Sequence, residues 1–279
     1  MSGLAVWVFA VALLYGRVLM ALAANWQSDA SYSHGWVIAP IALALLWRQR
    51  DRFRALPLEP SKAGLLVLAL SLLVYVTGTL GAELFLVRTS LIGVLAGTLL
   101  YAAGWRHLRA AAFPLMFLIF MIPLPAVVFE RLAVQLQLVA STLGERMLQA
   151  LDVSVVRDGN VLRLATVSLE VNEACSGIRS LITLLAVTTL MAYLFETDWP
   201  RRIAIAAGAL PLAIGLNGIR IAATGLAALR FGPGVASGAV HEAAGFVVFV
   251  VAVGCVCGLH VALHHAPLSV GMTSAAESV

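Results

Sequence analysis

Three short stretches hold the residues that could do chemistry together. E-V-N-E-A-C-S-G-I-R-S-L at 170–181 places Cys175 where a charged segment gives way to a long apolar run, with Arg179 four residues on. L-N-G-I-R-I at 216–221 carries Asn217 and Arg220, and H-E-A-A-G-F at 241–246 carries His241 and Glu242. The thiolate is the reactive form of cysteine, and a helix N-terminus or a neighbouring cation lowers its pKa. Cys175 reads as the opening of a helix, and Arg179 shares its face at i+4. Acyl transfer also needs a group to take and give a proton, which suits His241. The developing oxyanion needs a donor, which suits the fixed charge and rigid fork of Arg220. Blander roles stay open beside these. A membrane cysteine is often a small hydrophobe, Arg179 and Arg220 can pair with Glu173 or Glu242 to tie helices, and His241 can bond a backbone carbonyl.

The elements that must position these groups follow from composition. Of 279 residues 61% are hydrophobic and 11% charged, against about 25% charged in soluble domains. Runs such as 63–80, 110–129 and 180–195 approach the roughly 20 residues of a spanning helix, and the alternation of a membrane barrel is absent. The expected fold is an all-α polytopic membrane protein with about eight spans, near 4–24, 34–48, 63–80, 84–103, 110–129, 175–195, 201–222 and 239–262. Residues 1–265 read as one domain, with 266–279 a flexible tail. Within it, 131–173 reads as an external insertion: a helix lying along the interface or packed against the bundle, then a hairpin around D-G-N. The first apolar run, interrupted by Arg17 and preceded by no basic segment, reads as a span rather than a cleaved signal.

The remaining signals are weaker. Three cysteines make no disulfide framework, and Cys255 and Cys257 are expected to pack in the core. His260, His264 and His265 lack the acidic or thiol partners of a metal site, and no cofactor or metal motif stands out. Trp26, Trp36, Trp47, Trp105 and Trp199 read as interfacial anchors. A net charge of +4 argues for no nucleic-acid partner, since the basic residues fall in loops on one side. Those residues are Arg48, Arg50, Arg52, Arg54 and Lys62, then Arg106 and Arg109, then Arg201 and Arg202. With eight spans this side is the cytoplasm, together with both termini. Cys175, Arg220, His241 and His34, with Arg88 and Glu242 at similar depth, then share the outer face, and an intramembrane arginine reads as functional by default. Two other classes fit less well. A transporter would line a path with Arg17, Arg88 and Arg220. A protein of exopolysaccharide assembly or transport would hold an anionic lipid-linked substrate on arginines and could dispense with Cys175.

A-C-S-G-I-R-S-L (174–181), N-G-I-R-I (217–221) and H-E-A-A-G-F (241–246) resemble the three signature blocks of the exosortase/archaeosortase family. Y-S-H-G-W followed by I-A-P-I, within 32–41, resembles its N-terminal block. The resemblance implies a multi-pass protein of the bacterial inner membrane, acting at the periplasmic face as a cysteine transpeptidase without a cofactor. Its implied partners, besides membrane lipid, are exported proteins ending in a Pro-Glu-Pro-like motif, one transmembrane helix and a basic tail. Cys175 is then the nucleophile, Arg220 the transition-state arginine and His241 the general acid and base. His34 and Arg179 match the blocks in supporting roles, and Asn217 and Glu242 fall within them.

Overall fold

The structure, a computed structural model, describes residues 3–171, 177–236 and 238–265. The tail expected at 266–279 and the segment 172–176 that carries Cys175 lie outside these. α1 (Gly3–Ser28), α2 (Gly35–Arg48) and the short α3 (Arg50–Ala55) are followed by a hairpin of α4 (Ala63–Leu80) and α5 (Leu84–Ala103). Then come α6 (Trp105–Phe117), a 3-10 turn (Leu118–Met121) and α7 (Ala126–Gln149). A small sheet precedes α8 (Ile178–Phe195), α9 (Trp199–Phe231) and α10 (Gly238–His265). Seven of these helices are long and apolar enough to cross a membrane by length and composition: α1, α4, α5, α7, α8, α9 and α10. Large apolar side chains such as Phe9, Leu13, Leu66 and Phe246 stand exposed along them, as a protein solvated by lipid requires. The chain is an all-α polytopic membrane protein.

Three elements depart from expectation. The span expected at 110–129 is broken, because Pro123 and Pro125 lack the amide protons a helix needs and bias the residues before them away from helical dihedrals. Its first part becomes α6 and the 3-10 turn; its last residues join α7, which starts at Ala126 rather than near residue 131. With α2 and α6 short, α7 rather than 110–129 has the length of a span. The seventh expected helix runs on from residue 222 to Phe231.

The D-G-N turn forms as expected. β1 (Val155–Asp158) and β2 (Val161–Leu164) are antiparallel, with Asp158 opposite Val161 across the two-residue turn Gly159-Asn160. A third strand, β3 (Ser168–Glu170), adds antiparallel to β2. Leu162, Leu164 and Leu169 pack with Ala140 and Leu148 of α7 and Ile221, Ala222 and Ala228 of α9. Small residues let α7 and α9 approach closely: a Cβ at Gly218 would lie 2.8 Å from that of Leu143, and one at Gly225 would lie 3.2 Å from Leu148. α8 starts beside Asn217, so the last 14 residues of α9, about 21 Å of helix at 1.5 Å each, extend beyond it. The second half of α7 and the sheet cover this extension.

Candidate active site

The site is assembled on α9. Asn217 and Arg220 lie three residues apart, hence on one face, and both are buried. At Asn217, α9 meets the start of α8. Gly177, the N-cap of α8, has φ +81°, a conformation L side chains resist. A Cβ there would also stand 2.9 Å from Asn217 Cγ. At Arg220, α9 meets α10, where a Cβ at Gly245 would lie 3.2 Å from Arg220 Nη1. One layer of the bundle thus brings together the N-cap of α8, the Asn217–Arg220 face of α9 and the first half of α10.

The sequence-derived candidates map onto this layer unevenly. Arg220 is in it, buried, with its backbone carbonyl accepting from the Thr224 hydroxyl at 2.8 Å. Asn217 is in it. His241 belongs to α10 and lies one turn before Gly245; its side chain is outside the description. Cys175, two residues before Gly177, is outside it altogether. Arg179 is exposed on the first turn of α8, its carbonyl accepting from Thr183 at 3.0 Å. Glu242 is exposed.

His34 has a different setting. It lies half-buried in the turn between α1 and α2, with Nε2 3.0 Å from the Phe120 carbonyl and Nδ1 3.5 Å from Thr183 Oγ1. Burial holds its pKa below the ordinary imidazole value, against the smaller raising effect of the Phe120 carbonyl. A neutral ring donating from Nε2 to Phe120 leaves Nδ1 as an acceptor beside Thr183 Oγ1, whose one proton is shared between Nδ1 and the nearer Arg179 carbonyl. His34 therefore ties the break after α6 to the second turn of α8.

Trp26, in the last turn of α1, and Tyr32, on the α1–α2 turn, join it, and sequence reasoning missed both roles. Trp26 Nε1 donates to the Met121 carbonyl at 2.8 Å, and the Leu124 amide donates to the Tyr32 hydroxyl at 3.1 Å. Trp26 is buried against this break and is no interfacial anchor, whereas Trp36, Trp47, Trp105 and Trp199 are exposed as expected. The sequence signal was P-L-P at 123–125. A helix broken in apolar surroundings frees backbone groups that side chains must satisfy.

Other groups find structural partners. Arg88, buried in α5, donates to Asn25 Oδ1 and fastens α1 to α5. Cys255 and Cys257 are exposed on α10, contrary to the packing expected of them. The residue between them, Val256, faces the core, and a helix cannot turn both of its neighbours inward. His260 pairs with the buried Glu196 just after α8, Nδ1 to Oε1 at 2.7 Å, a partner in space that its own segment could not reveal.

The family model for transmembrane exosortases matches residues 26–258. No curated protein and no solved structure matches the chain.

Proposed function

The chain belongs to the transmembrane exosortase family, and from that premise we propose that it is a membrane-embedded cysteine transpeptidase. Its substrates are exported proteins that end in a Pro-Glu-Pro-like motif, a transmembrane helix and a basic tail. They are cut at the outer face of the bacterial inner membrane. The observation that carries the reading is the convergence of Gly177, Asn217, Arg220 and Gly245 from three helices in one layer. The sequence sets Cys175 and His241 two and four residues from two of these positions.

In the proposed reaction the Cys175 thiolate attacks the carbonyl carbon of the scissile peptide. Arg220 stabilises the oxyanion from a buried position, where a fixed charge acts more strongly than in water. As the C–N bond breaks, His241 gives its proton to the leaving amine, and a thioester remains on Cys175. An acceptor amine or water then attacks the thioester, His241 takes the proton from that nucleophile, and the thiolate is regenerated. Asn217 acts through position, holding the start of α8 against α9, and His34 does so through Thr183. α7 and the sheet, covering the outer part of α9, bound the site from outside.

The test is co-expression with an epitope-tagged protein bearing such a C-terminal signal, read by immunoblot. Wild type shortens the substrate; Cys175→Ala, Arg220→Ala and His241→Ala, at equal expression, leave it full length. Mass spectrometry of the new C-terminus separates transfer from hydrolysis. Processing by Cys175→Ala at the wild-type level sinks the thiol mechanism and favours an anionic lipid-linked substrate held by the arginines.

A further inference from the structure

A groove of 1240 Å³ runs along the bundle in a region to which α8, α9 and α10 contribute no residue. Leu43 and Leu46 of α2, Leu95 and Leu99 of α5, Leu115 of α6 and Leu118 of the 3-10 turn after it line it, with Trp7 of α1 at its edge. Its polar groups are few and gathered at one end, where Arg50 and Arg54 of α3 close it. Arg50 stacks over Trp47, 5.2 Å from the ring centroid. Both arginines are exposed and held only loosely by the exposed Asp51, at 3.9 and 3.7 Å. Arg48, Arg52 and Lys62 add further positive charge nearby in sequence.

Shape and charge identify the occupant. From Ala39, at the inner end of the groove, to the end of α2 at Arg48 is about 14 Å of helix, close to half of the ~30 Å hydrocarbon thickness. The groove therefore has the depth of one leaflet, with its cationic end where headgroups lie. A spanning helix runs the full ~30 Å of the hydrocarbon, about twice the depth of the groove. The arginines would also repel the basic tail of the substrates proposed above. Acyl chains ending in a phosphate match both the depth and the charge, and basic pockets between helices at a membrane surface select anionic headgroups.

We propose that this groove binds an anionic phospholipid of the leaflet on the arginine side, its phosphate between Arg50 and Arg54 and its acyl chains against α2, α5 and α6. The site rests on the membrane fold and not on the transpeptidase reading, so either can fail alone. The test uses the full-length protein, delipidated in mild detergent and titrated with phosphatidylglycerol or with phosphatidylcholine of the same chains, bound lipid being counted by native mass spectrometry. Wild type retains one phosphatidylglycerol with a preference on the order of tenfold over phosphatidylcholine. Arg50→Gln/Arg54→Gln, at exposed positions, abolishes the preference and keeps weak retention of both lipids. Ala102→Trp, at an exposed position lining the groove, reduces retention of both, and gel filtration verifies that each variant is folded. A photo-crosslinker at position 43 in membranes yields a phospholipid adduct. Equal binding of the two lipids by wild type, an undiminished preference in the double glutamine variant, or a polypeptide adduct at position 43 overturns the proposal.

Discussion

Gly177→Ala is the sharpest probe of the layer that joins α8 to α9. The new Cβ would stand 2.9 Å from Asn217 Cγ, 3.0 Å from Nδ2 and 3.2 Å from Cβ, where carbon atoms settle at about 3.5–4.0 Å. Relief requires the start of α8 to retreat by about 0.6–1 Å. The left-handed backbone at φ +81° adds about 1–2 kcal/mol for a residue with a Cβ. A displacement near 1 Å can slow a positioned reaction by about 100-fold, and Cys175 is two residues away. The expected outcome is substrate processing slowed by roughly 10–100-fold, with a lower midpoint of thermal unfolding in detergent. Gly177→Asn separates the two causes, because asparagine tolerates left-handed dihedrals and still carries the clashing Cβ, so it is expected to be no better than alanine. Gly215→Ala on α9, where a Cβ meets nothing within 4 Å, is expected to process normally. Wild-type processing by Gly177→Ala would refute the reasoning, and full rescue by Gly177→Asn would assign the defect to backbone strain alone.

Other outcomes follow from the same geometry. Arg220→Lys keeps the charge and loses the forked donors, so processing is expected to fall by about 100-fold or more; an undiminished rate in a single-turnover assay would remove Arg220 from the oxyanion role. Trp26→Phe leaves the Met121 carbonyl without its indole donor, and detergent unfolding is expected to show a loss of about 1–3 kcal/mol. The turn carrying His34 lies outside the spanning helices, and the folded protein binds the imidazole proton less readily than the unfolded chain does. The stability His34 contributes is therefore complete above the ordinary pKa of about 6.5 and declines as the pH falls below it. Unfolding midpoints from about pH 7.5 to about pH 5.5 should drop more steeply for wild type than for His34→Gln.

Much of the site was legible because its signals are local. N-G-I-R-I puts Asn217 and Arg220 on one helical face by spacing alone, and the burial of both agrees with the cost of an arginine in apolar surroundings. His34 was legible as a candidate but its structural setting was not. Its partners, Phe120 and Thr183, lie 86 and 149 residues away, and only the packing of the α1–α2 turn between the break after α6 and the start of α8 joins them. Trp26 misled for a similar reason, since an indole near a helix end reads as an interfacial anchor until the carbonyl it caps is known.

By itself the sequence determined the membrane class, the all-α fold and the hairpin, because a hydrophobic run of bilayer length and a two-residue glycine turn are properties of contiguous residues. It also displayed the blocks that mark the family. Tertiary structure alone decided that α9 outruns α8 and is covered by α7 and the sheet, and that Val256 faces the core while its two cysteine neighbours face outward. It alone paired Glu196 with His260 and left a leaflet-deep groove closed by arginines. Each of these depends on which helix lies beside which and in what rotation. Hydropathy cannot encode that, because in lipid every face of an apolar helix looks equally suited to the interior.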